Sequence, residues 1–170
     1  YLFKSQNITP LIDHVISELT VLADNKNITL IHENAETKQI ACFDKLRISQ
    51  VLRNLTSNAI KFSPKNSKIR FRVKKTEAGL TVSIHDEGVG IPNDELDVIF
   101  ESFSQSSLTQ TNAGGTGLGL PICKEIIESG HGGWIKAENA EEGGAVFRFF
   151  IPAVHADDRP EDIKNASGQN

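Results

Sequence analysis

Methionine is absent from all 170 residues, position 1 included, so the sequence is expected to be a piece cut from a longer protein. Cysteine occurs twice, as Cys42 and Cys123, with no CxxC spacing; this gives no zinc site and suits a reducing cytosol. No apolar run approaches the length of a membrane span, and no signal peptide is present. Basic runs are also missing, and a net charge of −4 argues against a nucleic-acid-binding surface. What remains, 38% hydrophobic and 24% charged, is one ordinary globular domain with enough chain for a real core.

Against that background the stretch Gly114-Gly115-Thr116-Gly117-Leu118-Gly119-Leu120 stands out. Glycine has no side chain to pack and is costly to order, so four of them in six residues need another reason. The following residues are apolar at 118, 122 and 126 and stop at Gly130, which predicts a helix. Pro121 fits its first turn, where no N–H partner is expected. A loop that becomes a helix N-terminus offers unpaired N–H groups and a positive dipole end, and glycine lets a phosphate come close to them. The alternative is a flexible glycine hinge.

Residues 1–7 are too few to read alone and are expected to be the end of a preceding helix or a linker. Thr9-Pro10 reads as an N-cap and first helical position, and the apolar spacing from Leu11 to Ala23 predicts an amphipathic helix over 10–25. His14, beside Asp13, lacks an acid–arginine–proline context and reads as a surface histidine of that helix. Short strands are expected at 28–33 and 39–43. Asp44 then caps a helix running to Phe62, whose apolar members Ile48, Val51, Leu52, Leu55, Ala59 and Phe62 fall in one arc. Beside it runs a polar stripe of Arg47, Gln50, Asn54, Asn58 and Lys61. Asparagine is a mediocre helix former, so two of them four apart are either an ordinary solvated face or oxygen ligands for magnesium carrying phosphates.

Beyond a loop at 63–66, alternation at Ile69, Phe71, Val73 and at Leu80, Val82, Ile84 predicts a hairpin turned by 77–79. Asp86 continues the inward row, and a carboxylate entering a core needs a dedicated partner. Gly88, Gly90 and Ile91 follow it on a backbone with little steric bulk. The amino group of a planar base would suit such an acid; simple turn chemistry is the alternative. A short helix is expected over 93–99, a mobile lid over 104–113, and a final hairpin of 134–138 with 145–151 joined by 139–144. From 154 the chain is patternless and reads as a polar linker.

Taken in this order, four boxes resemble the ATP-binding catalytic domain of sensor histidine kinases, in the superfamily shared with gyrase, Hsp90 and the MutL proteins. They are Gln50 to Phe62, Asp86 to Ile91, Phe100 to Phe103, and Gly115 to Leu120, within a match over nearly all of 8–152. The resemblance implies an α+β fold of the Bergerat type. That is a two-layer α/β sandwich, with helices on one face of a mixed, mainly antiparallel sheet. It implies ATP and Mg²⁺ as cofactors: Asp86 accepts from the adenine amino group, Asn58 ligates Mg²⁺, Asn54 sits beside metal and phosphates, and Lys61 reaches the phosphates. Phe62 lines the base or ribose, Gly88, Gly90 and Ile91 admit the nucleotide, and Phe100 and Phe103 anchor the lid. Gly115, Thr116, Gly117, Leu118, Gly119 and Leu120 make the phosphate loop.

Two departures carry consequences. ATPases of this superfamily have a glutamate where Asn54 stands, as general base for water, and an amide cannot take that proton. Residues 104–116 contain no arginine or lysine, unlike many such kinases, which places more of the phosphate contact on Lys61 and backbone donors. The expected partners are a phosphoacceptor helical domain of the same protein, absent from this sequence, and a downstream response regulator or receiver domain. The expected location is the cytoplasmic side of a membrane-bound sensor. Rival readings are an ATPase of the same superfamily, a kinase for a protein serine, and a nucleotide-sensing module without transfer.

Overall fold

The computed structural model describes residues 1–101 and 118–153. In chain order these form β1 (Phe3–Asn7), α1 (Thr9–Asp24), β2 (Thr29–His32), β3 (Ile40–Asp44), α2 (Lys45–Phe62), β4 (Lys68–Lys75) and β5 (Gly79–His85). They continue with α3 (Gly119–Lys124), a π-helical turn (Glu125–Gly130), β6 (Trp134–Asn139) and β7 (Ala145–Pro152). Five strands make one sheet in the order β2-β4-β5-β7-β6, parallel only between β2 and β4. The mixed, mainly antiparallel two-layer sandwich is the expected α+β fold.

Period-two patterning places the core. Register aligns Phe71 with Ile84, Ile84 with Phe147 and Phe147 with Ala137, and a second row joins Val73, Val82, Phe149 and Ile135. All but Ala137 are buried. The helices cover that face, with Ile48, Val51, Leu52, Leu55 and Ala59 of α2 and Leu11, Ile12 and Val15 of α1 closing one continuous core. The alternating row on the other face carries Arg72, Ser83, Arg148 and Lys136 in one line across the sheet.

Three local expectations are corrected. Phe3–Asn7 is a strand, not the end of a helix: it pairs antiparallel with β3, Phe3 opposite Asp44 and Asn7 opposite Ile40. That pairing is a contact across the chain which seven isolated residues do not encode. Helix α1 has Ile8 rather than Thr9 at its N-cap, and the Thr9 hydroxyl instead donates to the Thr37 carbonyl at 3.0 Å. Residues 93–100 make successive turns rather than a helix, with Glu95 N–H donating to Pro92 and Ile99 N–H to Glu95. His14 lies exposed on α1, as expected.

His131 ties the β1–β3 pair to the π-helical turn. It is fully buried; Asp44 N–H donates to its Nε2 at 3.1 Å, and its Nδ1 lies 2.7 Å from the Ile126 carbonyl. A backbone donor on one nitrogen and a carbonyl on the other require the neutral Nδ1–H tautomer. The Tyr1 and Phe3 rings meet it edge-on. His131→Leu keeps bulk but strands both backbone groups, so urea denaturation should report a loss of about 2–3 kcal/mol.

Candidate functional site

Helix α2 is the spine of the site. Asp44 caps it: its carboxylate accepts from Leu46 N at 2.9 Å, Arg47 N at 3.1 Å and, from just before β1, Leu2 N at 2.7 Å. Burial alone would push this carboxyl up, but the three N–H donors outweigh it and hold its pKa below the usual carboxylate value. At the other end the Lys26 ammonium donates to the Ile60 and Lys61 carbonyls, at 2.9 and 3.0 Å, closing the last turn. Between these fixed ends Asn54, Asn58 and Lys61 lie half-buried on one stripe. Lys61 Nζ stands 5.1 Å from the centre of the half-buried Phe62 ring.

The stripe meets the start of α3. Asn54 Nδ2 donates to the Gly119 carbonyl at 3.4 Å, so an amide expected near phosphates lies beside the last glycine of the loop. A Cβ on Gly119 would meet only Asn54 Cγ at 3.9 Å, an ordinary contact, so Gly119 is not held by crowding among the described residues. Leu118 and Leu120 are half-buried, and Leu120 packs against the core. Cys123 seats α3 on α2: it is fully buried, and burial pushes its thiol up to about 12 against a hydrogen bond from the Asn54 side chain. Such a thiol is inert. Lys124 pairs with Glu101 at 3.3 Å, joining α3 to the turns that end in the buried Phe100. Phe103, Gly115, Thr116, Gly117 and the expected lid lie outside the described residues, as does the expected linker from 154.

Asp86 sits where the inward row of β5 leaves the sheet, 7% exposed. Its Oδ1 accepts two backbone bonds, from Gly88 N at 2.8 Å and Ala145 N at 3.0 Å. The Asp86 N–H donates to the Ala145 carbonyl at 3.0 Å. Oδ2 has no such partner among the described residues. Burial raises the Asp86 carboxyl above the ordinary 3.8, against the pull of the Ala145 and Gly88 donors. A half-fixed, desolvated acid of this kind has one oxygen to offer a ligand.

The glycines after it have separate reasons. A Cβ on Gly88 would lie 2.7 Å from the Phe62 carbonyl, so this glycine is needed for the loop to rest on the end of α2. Gly90 has φ +75°, the left-handed region. Ile91 packs partly buried against the core. Two contributors were not foreseen from the sequence. A Cβ on Gly144 would strike the Asp86 carbonyl at 2.0 Å, and Ala145 supplies the N–H just described. Gly144 lies in the stretch that patterning presents only as a link, and Ala145 opens the strand after it; the doublet Gly143-Gly144 before an apolar strand was the available signal.

Among the described residues no three His, Cys, Asp or Glu side chains cluster as metal ligands, and no helix is long and apolar enough to cross a membrane. The donor set around Asn54 and Asn58 is neutral amide oxygen, hard and sparse. That suits Mg²⁺, which keeps several waters and takes few protein ligands beside substrate phosphates.

Comparison with known proteins agrees with the fold. The family of histidine kinase-, DNA gyrase B- and HSP90-like ATPases matches residues 43–155. The sensor protein KdpD of Clostridium acetobutylicum is 40% identical over 152 residues, covering 88% of this chain and 17% of KdpD. The solved catalytic domain of the histidine kinase ThkA superposes with a TM-score of 0.78 at 33% identity, covering 91% of this chain and 99% of that domain. ThkA in complex with the response regulator TrrA superposes with a TM-score of 0.76 at 34% identity, over 89% of this chain and 42% of ThkA.

Proposed function

The chain belongs to the histidine kinase-, DNA gyrase B- and HSP90-like ATPase family, as the ATP-binding catalytic domain of a sensor histidine kinase, and from that premise we propose that it donates the γ-phosphate of ATP to a histidine on a separate helical domain. The chain spans 17% of the length of KdpD; on this reading the acceptor histidine is supplied by a separate helical domain. The relation of ThkA to TrrA supports a response regulator as the next acceptor. We take residues 8–153 together with β1 as the nucleotide-binding unit and 154–170 as a linker, on the cytoplasmic side of a membrane sensor.

The observation that carries the reading is Asp86. With Oδ1 fixed by Gly88 and Ala145, Oδ2 receives the adenine amino group, and Gly88, Gly90 and Ile91 line the base. Phe62 flanks base or ribose, and the lid-anchoring role falls to Phe100 and Phe103. Asn58 ligates Mg²⁺, while Asn54, beside Gly119, sets the phosphates against Gly115, Thr116, Gly117, Leu118, Gly119 and Leu120. When bound, the metal neutralises charge on the transferring phosphate. The side chains position and do little covalent work. Asn54 cannot accept a proton from water, which favours transfer to an imidazole that is nucleophilic when neutral.

The test is to supply a phosphoacceptor helical hairpin in trans with ATP and Mg²⁺. An acid-labile phosphohistidine should form on the hairpin; phosphate release at ordinary ATPase turnover, indifferent to the hairpin, would restore the ATPase reading. Lys61 offers a finer check. Lys61→Ala should weaken ATP by about tenfold or more and leave adenosine nearly unchanged, as the loss of one charge-assisted phosphate contact requires. Calorimetry on both ligands reads this, and equal losses would mean that Lys61 does not touch phosphate.

A further inference from the structure

Between Asp86 and the turns after Pro92 the chain belongs to no strand or helix, so its path is set at discrete points. One end is fixed by Asp86 through Gly88 and Ala145. The other is fixed by Asn139, the last residue of β6. Its Oδ1 accepts from Ile91 N at 2.8 Å, and its Nδ2 donates to the Ile91 carbonyl at 2.6 Å and to Asn93 Oδ1 at 3.3 Å. The amide thus grips one peptide residue through both its donor and its acceptor, as a neighbouring strand would.

A hairpin asparagine usually bonds to its own turn. Asn139 does not: these bonds reach residues 48 and 46 positions away, while the Ala140–Gly144 turn is closed by its own backbone. Gly90 completes the fit, since a Cβ there would lie 2.9 Å from Asn139 Oδ1. Asn139 and Ala145 are paired across the β6–β7 ladder, so a single hairpin holds both Asp86 and Ile91.

We infer that Asn139 is a positioning residue for base recognition, holding the 87–92 loop in register with Asp86. This rests on the nucleotide reading above. The three bonds are exposed, which limits their effect. Asn139→Ala should weaken ATP and adenosine by the same factor, roughly five- to tenfold. It should leave tripolyphosphate binding and the unliganded melting midpoint unchanged. The Ile91 amide should lose hydrogen-exchange protection in the unliganded protein. Asn139→Asp, which keeps the acceptor and loses the donor, should recover part of the affinity.

Parent-level ATP affinity in Asn139→Ala, in a parent that binds ATP, overturns the positioning role alone. So does a loss for ATP without one for adenosine, or a fall in unliganded melting midpoint that accounts for the weaker binding. A parent that does not bind ATP overturns the nucleotide reading, and this inference with it.

Discussion

Asp86→Asn should abolish measurable ATP binding while leaving the fold at least as stable as the parent's. The asparagine oxygen takes over the two bonds from Gly88 and Ala145, which only an acceptor can satisfy. Its Nδ2 is then forced to the position of Oδ2 and presents a donor to the adenine amino group, another donor. A contact is lost and a buried donor pair is created, which together cost about 3 kcal/mol or more, over a hundredfold in affinity. The same substitution removes a desolvated charge. In the parent, that charge burdens the unliganded fold once Asp86 ionises, so its contribution to stability declines as pH rises from 3.8 through the raised folded value. Asp86→Asn should abolish that decline. Conversely, the parent's ATP affinity should fall on acidification at a pH above that of an ordinary carboxylate. Calorimetry and melting curves across pH read both, and an unchanged dissociation constant would refute the adenine role.

Asn58→Ala should remove phosphoryl transfer to an added acceptor hairpin, by a factor of about a thousand or more, with a far smaller effect on adenosine binding. The substitution is mild for the fold, because Asn58 is half-buried on a helix and alanine is the better helix former. The loss should therefore appear in transfer and in Mg²⁺-dependent ATP affinity, with the melting midpoint held. Retention of parent-level phosphohistidine formation at saturating ATP would remove Asn58 from the metal.

Which parts were legible follows from the range over which each is encoded. Helix α2 was legible to its ends because its cap, its apolar arc and Ser63-Pro64 all lie within its own stretch. The burial of Asp86 was legible for a similar reason: two-residue alternation from Leu80 carries the inward face to position 86. Strand β1 was not, because it is a strand only through β3, some 40 residues on. The expected helix at 93–99 failed because apolar spacing in so short a segment does not outweigh the turn chemistry of Pro92-Asn93-Asp94. The helix to Gly130 was read correctly in extent but widens to π geometry from Glu125, where its end meets Tyr1, Phe3 and the buried His131. Gly144, Ala145 and Asn139 escaped for the same reason as β1, since each acts on a loop 48 to 59 residues earlier.

The bond from Ala145 to Asp86 also fixes when the protein becomes able to bind. Those residues are 59 apart, and β7 is the last strand of the five-stranded sheet to be synthesised. A ribosome that has made everything through Leu120 has made Asp86 and the α2 stripe, yet the acid still lacks the donor and the hairpin that hold it. On the proposed reading the base therefore has no fixed acid to pair with until β7 is made, and the stabilising effect of nucleotide falls on the folded domain alone. ATP can select domains that have folded through β7 but cannot help their earlier segments to assemble.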